Sequence, residues 1–199
     1  MLLIALTTLC TGALFADESP AVGSAAPDFS LPSAHGKTET LSKFIGKYVV
    51  LEWFNPGCPF VQKHYKSDNM QNLQKEFTGK GVVWLTIDSS ATGEEGNLSP
   101  AGAIKQMEDW KMHSTALLLD ADGKVGHEYG ATNTPHMFVI NPKGEVIYKG
   151  AIDSVRSTEI SDIKGATNYV KAALTEAMAG KPVEPATTKA YGCSVKYAP

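Results

Sequence analysis

The chain has 199 residues, 43% hydrophobic, 20% charged and 9% aromatic, with a formal net charge of −3. That is the composition of one soluble globular domain with a real core, and it excludes a disordered chain, a collagen-like fibre and a multi-span membrane protein. Its 18 basic side chains are interspersed with 21 acidic ones, and Arg156 is the only arginine, so no basic stripe forms to hold nucleic acid.

Residues 1–16 carry no charged side chain and end at Ala16, just before Asp17-Glu18-Ser19-Pro20. A run this short falls below the ~20 residues of a membrane span and reads as a secretory signal peptide, followed by a linker over 17–25. No Lys or Arg precedes the run and Leu14 is not small, so a buried N-terminal helix is the alternative. Of the three cysteines, Cys10 would leave with the signal. Cys58 and Cys193 would remain, in a periplasmic or extracellular compartment that permits disulfides.

Residues 26–31 and 37–41 flank His35-Gly36 and predict a short hairpin. Residues 48–54 (YVVLEWF) are almost continuously apolar, as in a strand buried on both faces of a sheet. Residues 59–77 read as helix with a break at 67–69, after which Met70, Leu73 and Phe77 share a face. Residues 82–87 (VVWLTI) predict a second buried strand, and 88–99 a long Gly- and Ser-rich loop. A helix follows over 100–112, capped by Ser99 with Pro100 in its first turn.

Residues 116–119 predict a strand ending at the turn Asp120-Ala121-Asp122-Gly123. Strands over 137–140 and 145–148 are joined by Asn141-Pro142-Lys143-Gly144. The last helix is expected over 157–179, closed by Gly180 and Pro182. From Pro185 the chain shows no period. Two buried strands joined through a helix imply a right-handed crossover and a parallel pair, to which the later hairpin adds antiparallel strands. The expectation is a single α/β domain.

The segment Val49 to Val61 (VVLEWFNPGCPFV) carries the most information. A buried strand runs out at Phe54, Asn55-Pro56-Gly57 turns, and Cys58 precedes Pro59 at the head of a helix. Pro suits the first helical position, which leaves Cys58 at the cap, facing unpaired N–H groups and the positive end of the helix. That placement favours thiolate over thiol, and the thiolate is the nucleophile. A small buried Cys at a turn is the competing reading.

On these residues the chain resembles the thioredoxin-like superfamily. Laid on its strand-to-helix segment, Glu52 falls on the buried acid, Cys58 on the attacking Cys and Val61 on the second Cys. Thr134-Pro135 falls on the cis-proline. Ala26-Pro27-Asp28-Phe29-Ser30-Leu31 and Gly46-Lys47-Tyr48-Val49-Val50-Leu51 are similar to the redoxin branch, the alkyl hydroperoxide reductase and thiol-specific antioxidant type. The resemblance implies a thioredoxin-like fold over 26–180, a central mixed sheet flanked by helices with an N-terminal β-hairpin extension, and a tail over 181–199 carrying Cys193.

The resemblance also implies roles. Glu52 would be a part-buried acid with a raised pKa that relays a proton, unless it is a surface Glu at a strand end. Pro135 would be cis, and Thr134 would pair with an extended substrate segment beside Cys58. Pro59 would complete the substrate side. With Val61 in place of the second Cys, a resolving thiol must come from elsewhere, and Cys193 is the candidate. It would swing on the tail to Cys58, or bond a second subunit, or be redox-inactive.

The chain departs from ordinary peroxiredoxins, which carry Pro and Thr or Ser seven and three residues before the reactive Cys and an Arg near the later strand. Leu51 and Asn55 stand at the first two positions, and the Arg position falls near Pro135. His64 and His136 with Cys58 suggest a metal reading, but a second nearby Cys is missing and a structural role for each His is favoured. The expected activity is therefore a thiol oxidoreductase working through Cys58, with Glu52 and Cys193 assisting. It would need no cofactor and no metal, would act on a protein or small-molecule thiol or disulfide, or on peroxide, and would draw on an external thiol reductant. The alternatives are a peroxide reductase, a copper-binding protein on the same scaffold, and a redox-silent interaction domain.

Overall fold

The computed structural model describes residues 19–199, so the apolar run at 1–16 lies outside the described residues. Residues 26–41 form the expected hairpin, β1 (Ser30–Pro32) antiparallel to β2 (Thr38–Thr40), with Gly36 supplying a φ of 78° at the turn. Next come β3 (Val49–Trp53), helices α1 (Pro59–Lys66) and α2 (Asn69–Thr78), β4 (Val83–Asp88), α3 (Pro100–Asp109) and β5 (Ala116–Leu119). They are followed by α4 (Lys124–Glu128), β6 (Asn133–Thr134), β7 (His136–Ile140), β8 (Val146–Gly150), α5 (Tyr169–Met178) and β9 (Cys193–Ser194).

Five strands make the central sheet, in the order β5-β4-β3-β7-β8. The β3–β4 and β4–β5 pairs are parallel, and β3–β7 and β7–β8 antiparallel. This is the expected mixed sheet flanked by helices. Every residue of β3 and β4 is buried because both faces are covered, which explains why neither strand alternates in polarity. Along β3, Val49, Leu51 and Trp53 enter one layer with Phe29, Leu31, Tyr129 and Phe138. Val50 enters the other with Val61, Tyr65, Phe77, Trp84 and Leu174. The strand's period of two therefore sends Glu52 to the side of α1 and α2.

The helix break falls where expected, with Asp68 in the left-handed region at φ 59°. Ser99 caps α3, its hydroxyl accepting from the Gly102 N–H at 3.1 Å. The last helix departs from the expectation of 157–179. Residues Ile160–Gly165 form a 3-10 turn, and α5 starts only after Asn168, whose side chain accepts from the Lys171 N–H at 2.9 Å. Gly165 interrupts the segment, and a side-chain bond from Ser157 to Asp162 (2.6 Å) holds the preceding turn in its own local structure. The five-residue α4, which follows Gly123 at φ 70°, was not expected at all.

The tail differs most. Instead of running free it lies along the domain from one packing layer to the other, Tyr191 joining the α1 side and Val195 the α4 side.

Candidate active site

The end of β3 and the turn at 55–57 deliver Cys58 to the N-cap of α1, with φ −72°, ψ 120° and Pro59 as the first helical residue. Asn55 shapes the turn. Its Oδ1 accepts from the Gly57 N–H at 2.7 Å, and its Nδ2 donates to the Glu95 carbonyl at 2.8 Å. Cys58 is 2% exposed. Its side chain makes no cap bond to the helix, contrary to the expectation that it faces the free N–H groups. The sulfur turns the other way and donates to the Thr134 carbonyl at 3.0 Å.

The Thr134–Pro135 peptide is cis. Thr134 belongs to β6, and β6 pairs antiparallel with β9 so that Cys193 stands directly opposite Thr134. Cys58 and Cys193 are both free thiols, the first buried and the second half-buried. Burial pushes the Cys193 thiol up to about 12, with the adjacent Cys58 sulfur adding to the rise. Lys196 and Glu95 act on Cys193 with opposite sign. The chain thus gathers Cys58-Pro59, Thr134-Pro135 and Cys193, three segments far apart in sequence, into one place.

The segment carrying Cys193 is fastened on both sides of the sulfur, contrary to the expectation of a swinging arm. The Tyr191 hydroxyl bonds to Asp153, and its ring meets Phe60 at 5.8 Å between centroids. Asn133 Nδ2 donates to the Gly192 carbonyl at 3.0 Å, and the Val195 N–H to the Thr132 carbonyl at 3.1 Å. The Tyr197 hydroxyl donates to the Ala131 carbonyl at 2.7 Å, and its ring stacks on His127 at 3.9 Å. Gly192 sits at φ 130°, so close to Thr134 that a Cβ would fall 2.0 Å from its carbonyl oxygen. No other residue fits there.

Glu52 is fully buried, not at the surface. Oε1 accepts from the Tyr65 hydroxyl at 2.8 Å, and Oε2 from Trp84 Nε1 at 2.8 Å, Gln74 Nε2 at 3.2 Å and Thr86 Oγ1 at 3.2 Å. Burial raises its pKa above the ordinary value in spite of these four bonds. None of the four donors is a sulfur. The acid connects to the site through Tyr65 on α1, the helix that Cys58 caps.

A second buried polar group supports the tail. Lys63 Nζ lies 3.7 Å from Asp153 Oδ2 and donates to the Val155 carbonyl at 3.2 Å, and His64 Nε2 lies 3.8 Å from the same carboxylate. Burial holds His64 down at about 4, Asp153 opposing the shift and Lys63 adding to it. With the Asn69 amide as donor to Nδ1 at 2.8 Å, the imidazole is neutral and its proton faces Asp153. His136 lies against Phe138 at 4.8 Å between ring centroids. Among the described residues no group of three His, Cys, Asp or Glu is placed to hold a metal.

Sequence reasoning missed Tyr191, Gly192, Asp153 and Lys63. The Tyr-Gly-Cys order was visible, but its partners lie far upstream and no periodicity connects them.

The sequence profile described as AhpC/TSA family matches residues 22–149, more than half the chain. A curated relative, the "Thiol:disulfide interchange protein DsbE" of Allochromatium vinosum, is 26% identical over 150 residues, 73% of this chain and 76% of that protein. An uncharacterized conserved protein from Geobacillus kaustophilus superposes with a TM-score of 0.79 at 24% identity, over 90% of this chain and 93% of that one. The thioredoxin domain of a thiol-disulfide oxidoreductase from Bacteroides vulgatus superposes with a TM-score of 0.53 at 23% identity, over 74% and 98%. These solved structures support the thioredoxin-like fold, and the profile stops short of the tail that carries Cys193.

Proposed function

The chain belongs to the AhpC/TSA family, a redoxin branch of the thioredoxin-like oxidoreductases, and from that premise we propose that it is a thiol oxidoreductase whose working pair is Cys58 and Cys193. The observation that carries this reading is the strand pairing that sets Cys193 opposite Thr134, whose carbonyl holds the Cys58 sulfur at 3.0 Å. Cys58 is the nucleophile. Cys193 is the resolving thiol, held in its protonated form by burial until Cys58 is oxidised. Resolution forms a Cys58–Cys193 bond within one chain, and an external thiol returns the pair to its reduced form.

Glu52 is the buried acid of the site, joined by Tyr65 to the helix behind Cys58, and its raised pKa lets it hold a proton at a pH where an ordinary carboxylate has lost one. Thr134, Pro135 and Pro59 form the wall against which a substrate sulfur approaches. Of the two positions where peroxiredoxins carry a Thr or Ser and an Arg to polarise a peroxide, the first is Asn55, which is spent on the turn, and the second falls near Pro135, where the sequence has no arginine. Thiol–disulfide chemistry is therefore preferred over fast peroxide reduction. Export, read from residues 1–16, supplies a compartment in which the pair can stay oxidised.

Mass mapping of the unreduced protein tests the pair. After mild oxidation the 58- and 193-containing peptides are expected as one linked species, lost on reduction and absent from Cys58→Ser and Cys193→Ser variants. Oxidised protein in which Cys58 is linked only to other chains, or carries a sulfinic acid with Cys193 untouched, would refute the resolving role. Stopped-flow consumption of hydrogen peroxide separates the peroxide-reducing alternative, which requires fast turnover.

A further inference from the structure

The tail does more than carry a thiol: it fills the strand edge beside Cys58. An extended polypeptide reaches a sulfur in such a place by adding a strand and exchanging main-chain hydrogen bonds with an open edge. The edge of β6 is not open. Cys193 and Ser194 already pair with Thr134 and Asn133, and Val195 continues the contact to Thr132. On one flank Tyr191 is tied to Asp153. On the other, the Lys196 carbonyl accepts from the Ala91 N–H at 2.7 Å and Tyr197 is tied to Ala131. Beneath this strand Cys58 is 2% exposed, whereas Cys193 is half-buried and is the more accessible of the two cysteines.

We propose that the oxidised pair is reduced by a small-molecule thiol that enters at Cys193, and that the docked tail keeps extended polypeptides off the Thr134 edge. This rests on the Cys58–Cys193 pairing proposed above and names the class of its electron donor. A thiolate RS⁻ attacks Cys193 Sγ in line with the disulfide. The new S–S bond forms as the old one breaks, and Cys58 leaves with the electron pair as a thiolate. A second RS⁻ attacks the R sulfur of the mixed disulfide, giving RSSR and releasing Cys193. Two RSH are oxidised to one RSSR, and the two protons they give up end on Cys58 and Cys193.

The test uses full-length oxidised protein and two thiols matched in pKa: glutathione, and a ten-residue peptide with one central Cys. Reduction is followed by acid quench and peptide mapping. Glutathione is expected to react at least about tenfold faster than the peptide, with the trapped adduct on Cys193. In a Tyr191→Phe/Tyr197→Phe double variant, which keeps both cysteines but removes the two hydroxyl ties that flank the strand, the ratio is expected to fall. An adduct on Cys58, a peptide that keeps pace with glutathione on the wild-type chain, or a ratio unmoved by the double variant would each overturn the proposal. If no intramolecular disulfide forms, the function proposed above fails by itself. The edge is then read on the reduced protein, with oxidised glutathione against the peptide's symmetrical disulfide, and equal rates overturn the exclusion.

Discussion

Gly192→Ala is the smallest change that separates the two sulfurs. The added Cβ would stand 2.0 Å from the Thr134 carbonyl oxygen and 2.8 Å from its carbon, at a backbone φ of 130° that L side chains rarely adopt. Ordinary contact begins at 3.4 Å, so the strand must retreat by about 1.4 Å. That shift removes the 3.0 Å bond from Asn133 and the pairing of Cys193 with Thr134. Each lost hydrogen bond costs about 1 kcal/mol net, a modest loss in global stability. The effect on reaction is larger, because misplacing a reacting group by about 1 Å costs on the order of 10²-fold in rate. Closure of the Cys58–Cys193 disulfide, followed in a glutathione redox buffer by mass spectrometry, is therefore expected to slow about 10²-fold. Gly180→Ala is the control: φ is positive there too, at 70°, but nothing lies within 4 Å of its Cβ. Closure at the wild-type rate in Gly192→Ala would refute the claim that docking of the tail sets the thiol geometry.

Glu52→Leu is expected to destabilise the fold by roughly 2–4 kcal/mol in urea unfolding, since the Trp84 indole N–H loses its acceptor inside the core. Glu52→Gln keeps an acceptor and removes a buried charge. Because the folded pKa of Glu52 is raised, its contribution is present below the unfolded value and lost as pH rises through the folded one, so the Gln variant gains on wild type as pH rises. Its exchange rate is expected to lose one limb of the pH profile. His64 works with the opposite sign. Its pKa falls from 6.5 to about 4, so stability present above 6.5 is lost as pH falls toward 4. At about 1.4 kcal/mol per pH unit this amounts to roughly 3 kcal/mol, and an unchanged acid limb in a His64→Leu urea series would count against it.

The sheet was legible because its signals are local. The apolar runs at 48–54 and 82–87, and the Pro that starts α1, each declare their structure within a few residues. The Cys58 turn and the Thr134-Pro135 step were found the same way, by type and order along the chain. What failed was long-range or imitative. Ile160 and Ile163 copy a helical face, yet Gly165 ends that segment and Asn168 caps the real helix. Tyr191 gives no sign that its partner is Asp153, 38 residues back, and Gly192 looks like a flexible joint although it is the one residue thin enough to lie on Thr134. Cys58 was placed correctly at the cap, but the direction of its sulfur depends on β6, which no local pattern around residue 58 reveals.

A resolving thiol on the tail, as proposed for Cys193, would change what oxidation does to the fold compared with one on the helix. The position four residues into the segment after the turn is Val61, fully buried in the core under Cys58, where a side chain must pack. A disulfide within a Cys-x-x-Cys turn closes a very short loop and restricts the unfolded chain by roughly 2 kcal/mol on the chain-entropy model. A bond from Cys58 to Cys193 would close a loop of 135 residues, for which the same model gives ~5 kcal/mol. Since the reduced sulfurs already lie together, little of that gain should be returned as native-state strain. Oxidised protein is thus expected to unfold in urea at a clearly higher midpoint than reduced protein, with the difference abolished in the Cys58→Ser/Cys193→Ser variant. Equal midpoints, with the disulfide verified by mass, would mean that the bond distorts the docked tail by as much as it constrains the unfolded chain. The docked strand would then not be the geometry in which the pair closes, and the assignment of Cys193 as the resolving thiol would lose its structural basis.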